Sequence, residues 1–215
     1  MDKLSARVVD PNNSNSLSYR ARQGRWSKFM ESFPQVADMH VLDLGGTPDY
    51  WSSAPVQPLS VVTVNLADLD SAERVTAIQG DACDPPDAIR NATFDLVVSN
   101  SLIEHVGGHA QRARLADVIH KASDHHWVQT PYRYFPIEPH WMAPGIQFLP
   151  FEARVRATML WKFVHRHTTD RQKAIDWVNE VELIGLTQMR EYYPSSRIWV
   201  ERMAGLVKSM VAIAG

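Results

Sequence analysis

Four short groups of residues in this 215-residue chain have the types and spacing to do chemistry. Asp43-Leu44-Gly45-Gly46-Thr47 sets an acid at the end of an apolar run, with two glycines directly after it. Glycine lets a backbone turn sharply and lets a ligand approach without meeting a Cβ. The group is therefore a candidate nucleotide-type turn, although a D-x-G-G by itself is also an ordinary strand-to-helix turn. Gly80-Asp81-Ala82 offers a second turn with an acid. Ser99-Asn100-Ser101-Leu102-Ile103-Glu104-His105-Val106 places polar groups, then Glu-His, after another apolar run. Phe135-Pro136-Ile137-Glu138-Pro139-His140-Trp141 holds a carboxylate two residues from an imidazole, with prolines on both sides of Glu138. A hydroxyl oxygen is a poor nucleophile until a base draws off its proton, and histidine, with a reference pKa of about 6.5, suits that work.

The elements that must position these groups follow from the hydrophobic pattern. Residues 1–17 are polar and rich in Asn and Ser, and read as an extended arm. Trp26, Phe29, Met30 and Phe33 fall at helical spacing within 18–36. Short apolar runs at 41–44, 59–68, 75–78 and 94–99 read as strands. Leu115, Val118 and Ile119 predict a helix over 109–122, and 126–130 reads as a strand stopped by Pro131. Residues 131–150 hold five prolines and many aromatics; an irregular stretch of that length is usually functional. Residues 151–165 and 170–183 read as helices, and 186–193 and 206–214 as two closing strands. Strands alternating with helices predict an α/β, doubly wound, mainly parallel sheet. In such sheets ligands bind beyond the carboxyl ends of the strands, where all four groups fall.

Composition narrows the classes. Hydrophobic residues make up 45% of the chain and charged residues 21%, enough apolar material for one sizeable core. The net charge of -2 and the lack of a basic run argue against nucleic acid or an anionic membrane as partner. One cysteine, Cys83, excludes an intrachain disulfide and a C-x-x-C site. No apolar run suits a signal peptide or a membrane span, so the expectation is a cytoplasmic protein, with a homodimer left open.

Taken in order, the glycine turn, Asn65 at the end of the second run, Gly80-Asp81-Ala82 and the run ending in Glu104-His105-Val106 resemble the class I S-adenosylmethionine-dependent methyltransferases. The small-molecule branch, whose fourth motif ends in Glu-His-Val, is the nearest in pattern. The resemblance covers about residues 38–131. It implies a Rossmann-like seven-stranded sheet, mostly parallel with an antiparallel C-terminal strand. It implies S-adenosylmethionine as methyl donor and S-adenosylhomocysteine as product. Asp43, Gly45, Gly46 and Thr47 would wrap the amino-acid end of that cofactor, and Asn65 would meet the ribose. Asp81 and Ala82 would face the adenine with Leu66 packed on it, and Ser99 and Asn100 would lie near the sulfonium. Two departures stand out. Asn65 replaces the usual Asp or Glu, with Asp68 as a substitute, and Thr47-Pro48-Asp49-Tyr50-Trp51 replaces the usual third glycine. Trp51 is read as core packing at the start of a helix, with a cap on the cofactor pocket as the alternative.

Methyl transfer by in-line displacement asks the protein chiefly for alignment. His140 is expected to serve as base, with Glu138 orienting it, for a hydroxyl oxygen of a small molecule or glycan. His105, Tyr132, Arg133, Tyr134 and Trp141 are expected to bind the acceptor, with Tyr19 and Arg20 closing over it. Phe148 and Phe151 are expected to anchor the loop to the core. No metal is expected, with Mg²⁺ left open. Nitrogen or carbon methylation and a non-catalytic S-adenosylmethionine-binding protein are the alternatives. A nicotinamide oxidoreductase fails on glycine spacing, which lacks G-x-G-x-x-G.

Overall fold

The computed structural model describes residues 17–161 and 165–215. The expected arm lies outside them except for Leu17, and the side chains of Tyr19 and Arg20 are also outside the description. Nine strands are described: β1 (His40–Leu44), β2 (Ser60–Asn65), β3 (Val75–Gln79), β4 (Leu96–Asn100), β5 (His126–Pro131), β6 (Ile137–Glu138), β7 (Ala143–Pro144), β8 (Arg197–Met203) and β9 (Leu206–Ala214). The α-helices are α1 (Leu17–Ser32), α2 (Pro48–Ser52), α3 (Asp87–Arg90), α4 (His109–Ala122), α5 (Phe151–Leu160), α6 (Arg171–Glu180) and α7 (Leu186–Tyr192).

Seven strands form one sheet in the order β3-β2-β1-β4-β5-β9-β8. The first five are parallel, with Leu42 opposite Val62 on one side and Val97 on the other. β9 is antiparallel to both β5 and β8. The two-residue connection from β8 to β9 carries φ values of 50° at Ala204 and 81° at Gly205. Positive φ at both central residues is what a tight hairpin matching strand twist requires. This is the predicted mostly parallel sheet with its antiparallel C-terminal strand. Order reverses between β1 and β4, which places the switch point directly above Asp43 and Ser99.

Alternation along the strands builds a core on each face. Leu42, Leu44, Val97 and Val128 pack against Leu115, Ile119, Met189 and Tyr193. Val41, Leu96, Val98 and Trp127 pack against Trp26, Phe29, Phe33 and Trp51. A smaller cluster of Trp141, Ile146, Val155, Ala174, Val178 and Leu183 ties the loop after β5 to α5 and α6.

Several expectations are corrected. Residues 186–193 are not a strand but α7, and the strand lies later, at Arg197–Met203. Met189 and Tyr193 sit four apart and both are buried, a helical spacing, and Gln188 Oε1 accepts from the Gly185 N–H to start the helix. The first helix stops at Ser32, with a 3₁₀ turn at Val36–Asp38. Helices α5 and α6 end at Leu160 and Glu180, short of the expected 165 and 183. Residues 131–150 are not wholly irregular: β6 and β7 pair, and a 3₁₀ turn covers Ile146–Phe148. Phe148 and Phe151 do not anchor that segment to the core, being 51% and 41% exposed. Among the described residues no helix is long and apolar enough to cross a membrane.

Candidate functional site

β1 is buried along Val41–Leu44, so Asp43 carries its carboxylate into the sheet's interior, at 1% exposure. Its Oδ2 accepts from Trp51 Nε1 at 2.7 Å, while Oδ1 has no hydrogen-bond partner. Burial pushes this carboxyl up to about 7, and the bond from Trp51 pulls the other way. The turn above it depends on both glycines. Gly45 has φ 84°, and a Cβ on Gly46 would lie 1.9 Å from Asp43 Oδ2. Backbone therefore rests directly on the acid, which only a residue without a Cβ allows. Thr47 is exposed at the end of this turn.

Asn65 ends β2 beside the same turn. Its Nδ2 donates to the carbonyls of Gly45 and Gly46, each at 3.1 Å, and its Oδ1 accepts from the Ala67 N–H at 3.0 Å. The amide thus staples the glycine turn to β2 instead of standing free. Leu66 is 75% exposed, and Asp68 is exposed beyond it. At the end of β3, Asp81 Oδ1 accepts from the Cys83 N–H at 2.8 Å, and Ala82 is buried. Ser99 donates to the Leu44 carbonyl at 3.1 Å and is fully buried, so it ties β4 to β1. Asn100 Nδ2 donates to Tyr50 Oη at 3.3 Å, and its Oδ1 accepts from Trp127 Nε1 at 3.2 Å. Tyr50 stacks on Trp26 at 5.2 Å, and burial raises its hydroxyl pKa. A cavity of about 330 Å³ opens there, between α1, α2 and the ends of β4 and β5; Arg22, Arg25, Tyr50, Asn100 and Gln129 line it.

The second centre forms on the other face of β5, where Thr130 points. Thr130 Oγ1 donates to Glu104 Oε2 at 2.8 Å, and Glu104 Oε1 has no partner although the residue is fully buried. Burial pushes the Glu104 carboxyl up to about 7. Glu138, 2% exposed, accepts from His140 Nδ1 at 2.7 Å through Oε1 and from the Trp141 N–H at 2.7 Å through Oε2. His140 Nε2 stands 3.1 Å from His105 Nε2, with the rings edge to face. Burial lowers the His105 pKa, and the neighbouring His140 charge lowers it further. Glu104 is fixed from behind: its carbonyl accepts from the Glu182 N–H at 2.9 Å. Buried Arg112 also bridges the carbonyls of Ile103 and Glu182.

The expected residues therefore divide into two groups. Asp43, Gly45, Gly46, Asn65, Ser99 and Asn100 meet at the ends of β1, β2 and β4. Glu138, His140 and His105 meet beyond β5, joined by Glu104, which the sequence marks only as the neighbour of His105. Trp141 is 3% exposed and donates to Thr158 Oγ1 at 2.8 Å, so it is a pillar of the small third core as much as a cavity wall. Arg133, Glu138, Trp141, Phe148 and Arg154 line a second cavity of about 360 Å³. Tyr132 packs edge-on against Tyr134 at 5.5 Å, and exposed Tyr134 stacks on Phe148 at 6.0 Å. Missed from sequence was Arg25, which reaches Gln129 Oε1 at 3.4 Å across the first cavity; only its place on the helix face next to Trp26 hinted at it.

No protein-family model and no curated protein matches the chain. Solved structures do. The PH0226 protein from Pyrococcus horikoshii OT3 aligns at TM-score 0.57 with 16% identity, covering 100% of this chain and 99% of that one. The N-terminal domain of EvdMO1, crystallised in the presence of SAH and D-fucose, aligns at TM-score 0.52 with 14% identity, covering 93% and 84%. The N-methyltransferase NodS from Bradyrhizobium japonicum WM9 aligns at TM-score 0.52 with 10% identity, covering 91% and 96%. What the chain shares with these proteins at such identities is its fold, a Rossmann-like seven-stranded sheet, mostly parallel, closed by an antiparallel C-terminal strand.

Proposed function

We propose that the protein is an S-adenosylmethionine-dependent methyltransferase acting on a hydroxyl oxygen of a small molecule or saccharide. The observation that carries this reading is the glycine turn at the switch point: Asp43 lies beneath Gly46 with one carboxylate oxygen unpaired, and a Cβ there would strike it. A turn so bare, over a buried acid, suits a cationic amino-acid end brought close to backbone. The structures of similar fold support methyl transfer but not its acceptor atom, one being crystallised in the presence of SAH and D-fucose and one named an N-methyltransferase.

The donor, when bound, supplies an electrophilic methyl group on a sulfonium. The chain supplies the rest. Asp43, Gly45, Gly46 and Thr47 hold the amino-acid end, while Asp81, Ala82 and exposed Leu66 are left to meet the base. Asn65 is committed to the turn, which leaves ribose recognition to Asp68 or to backbone. The acceptor lies against Tyr132, Arg133 and Tyr134, and the aromatic faces and nearby charged groups of the second cavity suit a sugar or a ring. Activation of its hydroxyl centres on His140. Glu138 keeps the His140 proton on Nδ1, so Nε2 presents a lone pair, which the acceptor hydroxyl would take over from His105 Nε2, 3.1 Å away.

The test is incubation with methyl-labelled S-adenosylmethionine and a panel of hydroxylated sugars and aromatic alcohols. Label on oxygen, with one S-adenosylhomocysteine formed per transfer, is the expected result. Label on nitrogen alone across an amine panel would overturn the acceptor class.

A further inference from the structure

We propose that Glu104, His105 and His140 form a binding site for one divalent transition-metal ion, with Glu138 holding the His140 ring behind it. One ligand atom from each of the three lies within 4.8 Å of the others. The two Nε2 atoms face each other at 3.1 Å. Two imidazole nitrogens bound to one ion at 2.0–2.1 Å stand about 2.8–3.4 Å apart, for ligand angles from right-angled to tetrahedral. The observed separation falls in that range before any ion is present.

The carboxylate points to the same conclusion. Glu104 is fully buried and its Oε1 is unpartnered. A buried charge is normally paired or bound to metal. His140 Nδ1 is tied to Glu138 Oε1, and Glu138 Oε2 is tied to the Trp141 backbone, so the ring and its free nitrogen are fixed in advance. A carboxylate behind a histidine is the usual outer support of a metal ligand. Two nitrogens and one oxygen suit zinc, iron, cobalt, nickel or manganese better than magnesium, which prefers oxygen throughout. Three protein ligands leave a position open, as at catalytic sites.

One consequence rests on the methyl-transfer reading. The acceptor hydroxyl would take the open position, where the ion lowers its pKa. Its proton passes to solvent water. The oxygen then bonds to the methyl carbon as the sulfur–carbon bond breaks, with the electron pair left on sulfur. His140 would serve there as a ligand, not as the proton acceptor.

The experiment strips the full chain with a chelator, then titrates it with CoCl₂ and ZnCl₂ by calorimetry and visible absorption. One ion per chain is expected, with cobalt bands of nitrogen and oxygen coordination. H105A, H140A and E104Q should each weaken binding by more than the roughly 10–100-fold expected for E138Q, which removes only outer support. H40A, at the opposite end of β1, should bind as wild type does. Circular dichroism of each variant separates lost ligands from lost fold, and E138Q reports even if E104Q fails to fold. Absence of stoichiometric uptake, or uptake unchanged in H105A and H140A, overturns the site and leaves a plain histidine–histidine hydrogen bond. S-adenosylmethionine titrated into the same stripped protein reports separately on the methyl-transfer reading.

Discussion

The Trp51 indole donates to Asp43 Oδ2 at 2.7 Å, so the helix after the glycine turn is pinned to the strand before it by a bond to a buried acid. The turn between them is thereby held at both ends, and the acid keeps one oxygen free.

That acid gives stability a pH dependence. Its carboxyl is raised from 3.8 to about 7 by burial. A carboxyl whose folded pKa is raised contributes stability fully below its unfolded pKa and loses it as pH rises through the folded value. For Asp43, unfolding temperature should therefore fall between about pH 4 and pH 8. D43N should lessen that fall, with Glu104 left to supply the remainder, as thermal melts across the range would record. W51F should cost about 1–3 kcal/mol by leaving the carboxyl without its donor. An unchanged profile in D43N would refute the assignment.

Gly46→Ala is expected to be severe. Its new Cβ falls 1.9 Å from Asp43 Oδ2 and cannot be accommodated by a flexible tip, because the acid is enclosed. Overpacking of this kind costs about 1–3 kcal/mol. Denaturant melts should show the loss, and equilibrium dialysis should show S-adenosylmethionine binding lost with it.

Asn65→Asp tests a less obvious point. The resemblance leads one to expect an acid here, so the change looks like a repair. In the structure Asn65 Nδ2 donates to two carbonyls, and a carboxylate would set a third acceptor against them. N65D should destabilise the protein by about 1–3 kcal/mol and bind S-adenosylmethionine no more tightly. Tighter binding would mean that the side chain leaves the turn to meet the ribose.

His140→Ala should lower the methyl-transfer rate by roughly 10²–10⁴-fold, the range for losing a group that activates the acceptor hydroxyl, whether as base or as metal ligand. Affinity for S-adenosylmethionine should remain near wild type, since the His140 ring bonds to Glu138 and His105 and not to the glycine turn. Single-turnover assays beside calorimetry would separate the two effects. Wild-type turnover in this variant would remove His140 from the chemistry.

Sequence made the sheet legible because β1, β4 and β5 are buried along most of their length and each carries a short apolar run, Val41–Leu42, Leu96–Val98 and Trp127–Val128, between turn signals. It misread 186–193 because that segment is only eight residues long, a length that suits a strand, although Leu186, Met189, Tyr192 and Tyr193 fall at helical spacing. It overlooked 197–203 because an edge strand, half-buried along most of its length, shows no clean alternation. The glycine turn was visible in the chain, but the task of Asn65 was not, since the carbonyls it holds lie about twenty residues earlier. Glu138 and His140 were legible as neighbours. Their meeting with Glu104 and His105, 35 residues before His140, depends on how the loop after β5 folds back over β4.

The most direct test of the central claim is calorimetric titration of S-adenosylhomocysteine into the full chain, wild type beside G46A. The prediction is a single saturable site per chain in wild type and none in G46A. Lack of binding in wild type, or equal binding in both, would contradict the placement of the methyl donor on the Asp43–Gly46 turn.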